Sequence, residues 1–191
     1  MEIIILLFSY LIGSIPNGLI FGQLIWKKDL RKFGSGNIGA TNAWRVIGKP
    51  AGFLIFVLDF LKGTLSVFMA QDFIGEPLIM IFAGLIAIFG HSYSAFLKFH
   101  GGKGVATGLG VIAMLMPKVT LIVFLVWLAI VFATRYVSLG SIIASVCVPI
   151  LAIAFAEPVE FILFGALAAV FITLRHKENI KRLSQGTENK I

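Results

Sequence analysis

An all-α, polytopic integral membrane protein is the fold this sequence predicts, on three observations. Of its 191 residues 59% are hydrophobic and only 13% charged, a balance far from that of soluble domains. The apolar residues gather in runs, several of which approach the roughly 20 residues that a membrane span requires. No period-two alternation interrupts them, so the spans are helices, since backbone groups in lipid must bond internally and only helices or closed barrels allow that.

The first run, 2–26, has no basic residues before it and no small-residue cleavage site, and Lys27, Lys28, Arg31 and Lys32 follow it. It is expected to be a retained helix with its N-terminus outside. Within it, Ser14-Ile15-Pro16-Asn17-Gly18 predicts a kink. Further spans are expected near 51–71, 77–97, 104–116, 118–134, 138–156 and 158–174. Taken as one helix, 104–134 would be roughly 46 Å long against a hydrocarbon core of roughly 30 Å, so a break is expected at Pro117-Lys118. Seven transmembrane helices then put Arg45, Lys49, Lys98, Lys103, Arg135, Arg175 and the basic tail on the cytoplasmic side, as the positive-inside rule prefers. Six would strand Arg135 and the tail outside. No repeat or low-complexity tract divides the chain, and 1–191 is expected to be a single domain.

The net charge of +7 would point to nucleic acid in a soluble chain. Here the cations flank spans, and the expected partner is membrane lipid, with no nucleic acid. Cys147 is the one cysteine and lies in an apolar run, where it packs as a small hydrophobe. All the unusual polar stretches fall on the predicted cytoplasmic side.

The first of these, "KFGSGNIGATNAWRVIG", matches G-x-G-x-x-G at Gly34, Gly36 and Gly39. A dinucleotide site would need a preceding strand, and a membrane helix precedes it instead. The underlying physics still predicts an anion cradle: glycines let amide groups converge, and a following helix N-terminus adds positive potential. Ser35, Asn37, Thr41 and Asn42 offer further donors, and Arg45 can fork onto a phosphate. A plain turn accounts for two glycines but not for that whole set.

In "GHSYSAFLKFHGGKGVATG", Gly101, Gly102, Lys103 and Gly104 open a helix with Thr107 in its first turn, which suits a phosphoryl group without matching the Walker pattern. His91, at the end of an apolar helix, is read as an interfacial histidine. In "TLRHKENIKRLSQGTE", His176 and Asn179 share a helical face, with Arg182 close by. A basic tail ordinarily anchors to acidic lipid, which leaves the His/Asn pair over. Asp59 and Lys62, at i, i+3 inside a span, either neutralise one another or leave Lys62 as another phosphate ligand. At the head of the sixth span, capping accounts for Ser138 and Ser141 better than chemistry does, although Ser141 could reach a ligand. No Cys/His ligand set exists and the cytoplasmic acids are Asp29, Glu178 and Glu188, so no metal and no cofactor is expected. None of His91, His100 or His176 is followed five residues later by aspartate, so the H-x-x-x-x-D pair of thioester-using acyltransferases is absent.

Together with "GSIPNG" and "LDFLKG", these stretches resemble, in order and over nearly the whole chain, the bacterial acyl-phosphate-dependent glycerol-3-phosphate acyltransferases of the PlsY type. The resemblance implies transfer of a fatty acyl group from acyl phosphate to glycerol 3-phosphate, giving 1-acylglycerol 3-phosphate in phospholipid biosynthesis at the bacterial inner membrane. It also implies coupling to enzymes that form acyl phosphate and use lysophosphatidate. The family places its three glycine or basic motifs at the active site, and the second, here Gly101, Gly102, Lys103 and Gly104, at glycerol 3-phosphate. The resulting expectation gives catalytic roles to Ser35, Arg45, Lys103, His176 and Asn179. It gives substrate binding to Gly34, Gly36, Asn37, Gly39, Thr41, Asn42, Lys62, Gly101, Gly102, Gly104, Thr107, Ser141 and Arg182. With no carboxylate base apparent, the proton acceptor is expected to be the acyl phosphate itself, with His176 the competing choice. The rival from another class is a transporter or flippase for an organic phosphate, which should line a path through both leaflets; the polar residues here crowd one face.

Overall fold

A computed structural model describes all 191 residues, which form helices and turns with no strand. In chain order they are α1 (Glu2–Ser14), α2 (Asn17–Trp26), α3 (Ala40–Val46), α4 (Lys49–Phe73), α5 (Pro77–Ser92), α6 (Val105–Leu115), α7 (Pro117–Thr134), α8 (Val137–Ala154), α9 (Val159–Arg175) and α10 (Lys177–Ser184). Proline occupies the first turns of α4, α5 and α7, where its missing N–H has no intrahelical partner to lose.

Four segments, Lys49–Phe73, Pro77–Leu97, Pro117–Thr134 and Val137–Ala154, are long and apolar enough to cross a membrane, and the number rises to six if each of two bent pairs counts as one span. The first bent pair is α1 and α2, turned by 41° at the kink expected around Pro16. The second is α9 and α10, turned by 61°. The expected break near Pro117 is present, between α6 and α7. α6 differs from expectation in length: its 11 residues reach only about 16 Å at 1.5 Å per residue.

The chain divides into two compact units, Met1–Val111 and Ile112–Ile191. In the first, helices meet through small residues. Gly13 of α1 lies against the Ala87 backbone of α5, and Gly90 of α5 against the Tyr10 carbonyl. Gly63 of α4 lies against Thr107, and Gly110 against Phe60, with Thr64 Oγ1 donating to Gly110 O at 3.1 Å. Lipid is as apolar as a leucine side chain, so helices in it gain most from close backbone approach. Leu30, Ala43, Ala51 and Ile55 form a buried cluster that seats the 27–39 loop and α3 on α4.

In the second unit α8 packs against both α7 and α9. Gly140 meets Trp127 and Val131, and Gly165 meets Val148 and Pro149. Large apolar side chains point outward throughout, Phe132 being 90% exposed. In water that surface would be an aggregation hazard, and it is the surface a helix presents to lipid.

Candidate active site

The first glycine stretch is wound around one side chain. Asn42, 1% exposed in the first turn of α3, donates from Nδ2 to the carbonyls of Leu30 (3.1 Å), Phe33 (3.1 Å) and Asn37 (2.8 Å). Its Oδ1 accepts the Ser35 N–H at 2.9 Å. Gly34, at φ +60, is left-handed, and a Cβ there would strike the Asn42 amide. The loop therefore requires glycine at this position on two counts. Asp29 enters the loop by accepting from Arg31, and that hydrogen bond holds its carboxyl at about 2.

This geometry corrects two expectations. Asn42 is not an open donor, because its amide is spent on the loop itself. The amide cradle is also smaller than expected: Ser35 N–H goes to Asn42, Gly36 N–H to Phe33 O at 3.0 Å, and Gly39 N–H to Asn37 Oδ1 at 2.8 Å. What the loop offers outward is side-chain chemistry, namely the exposed Ser35, the partly exposed Thr41 and, one turn beyond Asn42, the partly exposed Arg45.

The second stretch lies on His91. Gly102 N–H donates to His91 O at 3.0 Å. A Cβ at Gly101 would run into that carbonyl, and one at Gly102 into the imidazole ring. Gly104 is left-handed at φ +83 and turns the chain into α6. Lys103, between these glycines, is partly exposed. Thr107 is fully buried, with no hydrogen-bond partner for Oγ1, and its carbonyl faces Gly63. Gly102→Ala is therefore expected to push the loop off the buried histidine and lower the melting temperature. Thermal unfolding of the variant beside the wild type checks this.

Beneath His91 is a buried polar cluster. Asp59 Oδ1 accepts from Asn17 Nδ2 at 3.0 Å, pairs with Lys62 Nζ at 2.9 Å and lies 3.8 Å from His91 Nδ1. Lys62 Nζ also donates to Ile15 O at 3.1 Å, a carbonyl released by the helix break at Pro16. Lys62 is thus an internal ion-pair partner, 5% exposed, and not the open phosphate ligand expected. Gly18, next to Asn17, abuts the Ile38 carbonyl. A short series of contacts through Ile38, Gly18, Asn17, Asp59 and His91 therefore joins the first glycine loop to the second. Asn17 and His91 had looked structural in sequence. The one signal available was polar side chains within apolar runs.

The third stretch, in the second unit, centres on Glu188. Its Oε1 accepts from Asn179 Nδ2 at 2.7 Å and Ser138 Oγ at 2.8 Å, and its Oε2 from Arg182 Nε at 2.7 Å. Burial alone would raise this carboxyl, but the three hydrogen bonds and the Arg182 charge outweigh it and hold Glu188 below the ordinary glutamate range. Arg182 is accordingly a clamp on Glu188 where an open phosphate ligand was expected. The Ser141 hydroxyl donates to Val137 O at 2.8 Å and accepts from Trp127 Nε1 at 3.3 Å. His176 is buried, with Nδ1 2.8 Å from Ile172 O. A carbonyl can only accept, so Nδ1 carries the hydrogen and Nε2 is the basic nitrogen of the neutral ring.

The family model for glycerol-3-phosphate acyltransferase matches residues 3–186. The chain belongs to the glycerol-3-phosphate acyltransferase family. Among curated relatives, the glycerol-3-phosphate acyltransferase of Carboxydothermus hydrogenoformans is 44% identical, the match covering 100% of this chain and 97% of the relative. That of Staphylococcus aureus (strain Newman) is 42% identical, covering 100% and 98%. A crystal structure of PlsY (YgiH), an integral membrane glycerol 3-phosphate acyltransferase, in its glycerol 3-phosphate form superposes with a TM-score of 0.95 at 42% identity, over 100% of this chain and 95% of that one. The lysophosphatidic acid form of PlsY gives 0.92 at 40% identity. The family's members are enzymes of the membrane, and this chain is an integral membrane acyltransferase.

Proposed function

We propose that this protein transfers a fatty acyl group from acyl phosphate to the 1-hydroxyl of glycerol 3-phosphate, giving 1-acylglycerol 3-phosphate and inorganic phosphate. The observation that carries the reading is Lys103, held between glycines on a rigid histidine floor, joined by contacts to the loop that bears Ser35 and Arg45. Family membership over nearly the full chain supports the acceptor. The acyl-phosphate donor is what the family implies, and its chemistry fits this site: a mixed anhydride carries a good leaving group, so no strong general acid is required.

The hydroxyl oxygen attacks the carbonyl carbon, the bond from that carbon to the phosphate oxygen breaks, and the departing phosphate takes the hydroxyl proton. The protein's work is then to offset repulsion between two anionic substrates and to align them. Lys103 and Gly101, Gly102 and Gly104 hold glycerol 3-phosphate; Arg45, Ser35 and Thr41, on the loop shaped by Gly34, Gly36, Asn37, Gly39 and Asn42, hold the other phosphoryl group. His176, oriented by Ile172 O, is the competing proton acceptor, with Asn179 beside it in sequence on the same helical face.

The chain works as one domain of seven spans, with its N-terminus outside and these loops at the cytoplasmic face of a bacterial inner membrane. Charge distribution supports this arrangement; the seventh crossing would have to include residues flanking α6, whose 11 residues cover only about half of a hydrocarbon core of roughly 30 Å. Enzymes that form acyl phosphate upstream and acylate the product downstream would complete the sequence.

Purified protein in vesicles, given labelled glycerol 3-phosphate with acyl phosphate, acyl-CoA or acyl carrier protein in parallel, is expected to form product from acyl phosphate alone. Equal turnover of a thioester overturns the donor. His176→Ala should lower the rate yet keep any histidine-like pKa in the pH–rate profile; disappearance of that pKa would make His176 the base.

A further inference from the structure

Three stretches that the proposed reaction leaves without a task, "GSIPNG", "LDFLKG" and "GHSYS", meet in the buried cluster of Asn17, Asp59, Lys62 and His91. Mutual neutralisation of Asp59 and Lys62 explains only part of it. A buried ion pair kept for stability alone is commonly matched or bettered by an apolar pair, and neutralisation calls for neither the Asn17 amide nor a histidine. The carboxylate lies 3.8 Å from His91 Nδ1, beyond hydrogen-bond length, and its charge favours the ring orientation that turns a hydrogen-bearing Nδ1 toward it. The ring's other edge is what Gly102 rests upon, and the His91 carbonyl holds the Gly102 amide.

We infer that Asp59 is a positioning residue for glycerol 3-phosphate: seated by Asn17 and Lys62, it orients the His91 ring, and that ring is the floor that presents Gly101-Gly102-Lys103 to the substrate phosphate. Asp59 touches no substrate, and its effect passes through His91. The inference rests on reading the Lys103 loop as the glycerol 3-phosphate site. The buried pair doubles as the loop's foundation, which accounts for a charged pair lodged mid-helix in α4 where lipid-exposed neighbours are apolar.

The test measures equilibrium binding of labelled glycerol 3-phosphate without donor, then KM for each substrate and kcat, in reconstituted wild type, His91→Gln, and the double variant Asp59→Asn/Lys62→Met. The double variant leaves no lone buried charge and should melt near the wild type, yet bind glycerol 3-phosphate about tenfold more weakly, with KM for acyl phosphate and kcat changed far less. His91→Gln keeps the Asn17, Asp59 and Lys62 contacts and should show the same selective loss. Recovery of wild-type binding in the double variant would reduce the cluster to charge neutralisation and overturn the inference, as would unchanged binding in His91→Gln. Wild type that fails to bind glycerol 3-phosphate at all would instead remove the reading of the loop beneath it.

Discussion

Lys103→Met should lower kcat/KM for acyl transfer by roughly 10³-fold, the scale seen when a preorganised charge is removed from an oxyanion or phosphoryl site. Methionine keeps the length and apolar stem, so packing survives and the loss is electrostatic. Lys103 is the sole cation of the Gly101–Gly104 turn, and amide dipoles alone cannot offset the dianion that a phosphate monoester brings near a second one. The loss should appear first as a raised KM for glycerol 3-phosphate, and Lys103→Arg should recover only part, because a planar fork cannot occupy the place of a compact ammonium between close-packed glycines. Steady-state kinetics against both substrates check this. A loss of less than tenfold in Lys103→Met would mean that the phosphate is held elsewhere.

Glu188→Ala should be the most destabilising change in the second unit. It strips acceptors from Asn179, Ser138 and Arg182 at once. Donors left buried without partners typically cost about 1–3 kcal/mol each, and the part-exposed Arg182 sits at the low end because water can reach it. Asn179 and Arg182 would then be released together from Ser138 of α8, with activity falling alongside melting temperature. Glu188→Gln retains an acceptor oxygen and should lose less.

The wild type should show the same dependence on pH. The folded carboxyl is held below the ordinary glutamate value of about 4.5, so its stabilisation is complete above that value and is lost as the pH falls through the lower folded value. Melting curves of wild type and Glu188→Gln from neutral pH downward should therefore converge in acid.

Much of the helical framework follows rules that act within a few residues. Pro16 and Pro117 break the apolar runs because proline lacks an N–H and clashes with the preceding turn. The glycine stretches announce loops for an equally local reason. The length of α6 was less legible: hydropathy runs from Val105 into Met116, yet glycine at 104 and proline at 117 confine the helix to 11 residues.

The site divides in the same way. Ser35, Thr41 and Arg45 can be picked out as outward donors from residue type and spacing. That Asn42 is turned inward while they are not depends on carbonyls at Leu30, Phe33 and Asn37, which the chain brings round only by folding back on α4. In sequence Lys62 and Arg182 look alike as candidate phosphate ligands, but each is captured by an acid, Asp59 or Glu188, and side-chain charge alone does not indicate capture.

Residue chemistry by itself determined that this chain lives in lipid and that its spans are helical, and it raised the expectation that its cations and glycines handle an anion. Those conclusions rest on transfer energies and backbone sterics, which act residue by residue. Only tertiary structure decided which polar groups face a substrate and which hold others in place. A hydrogen bond or ion pair is worth its full strength only over a few tenths of an ångström and a narrow angle. Asn17 with Asp59, or Ser138 with Glu188, come within that range through the packing of helices distant in sequence.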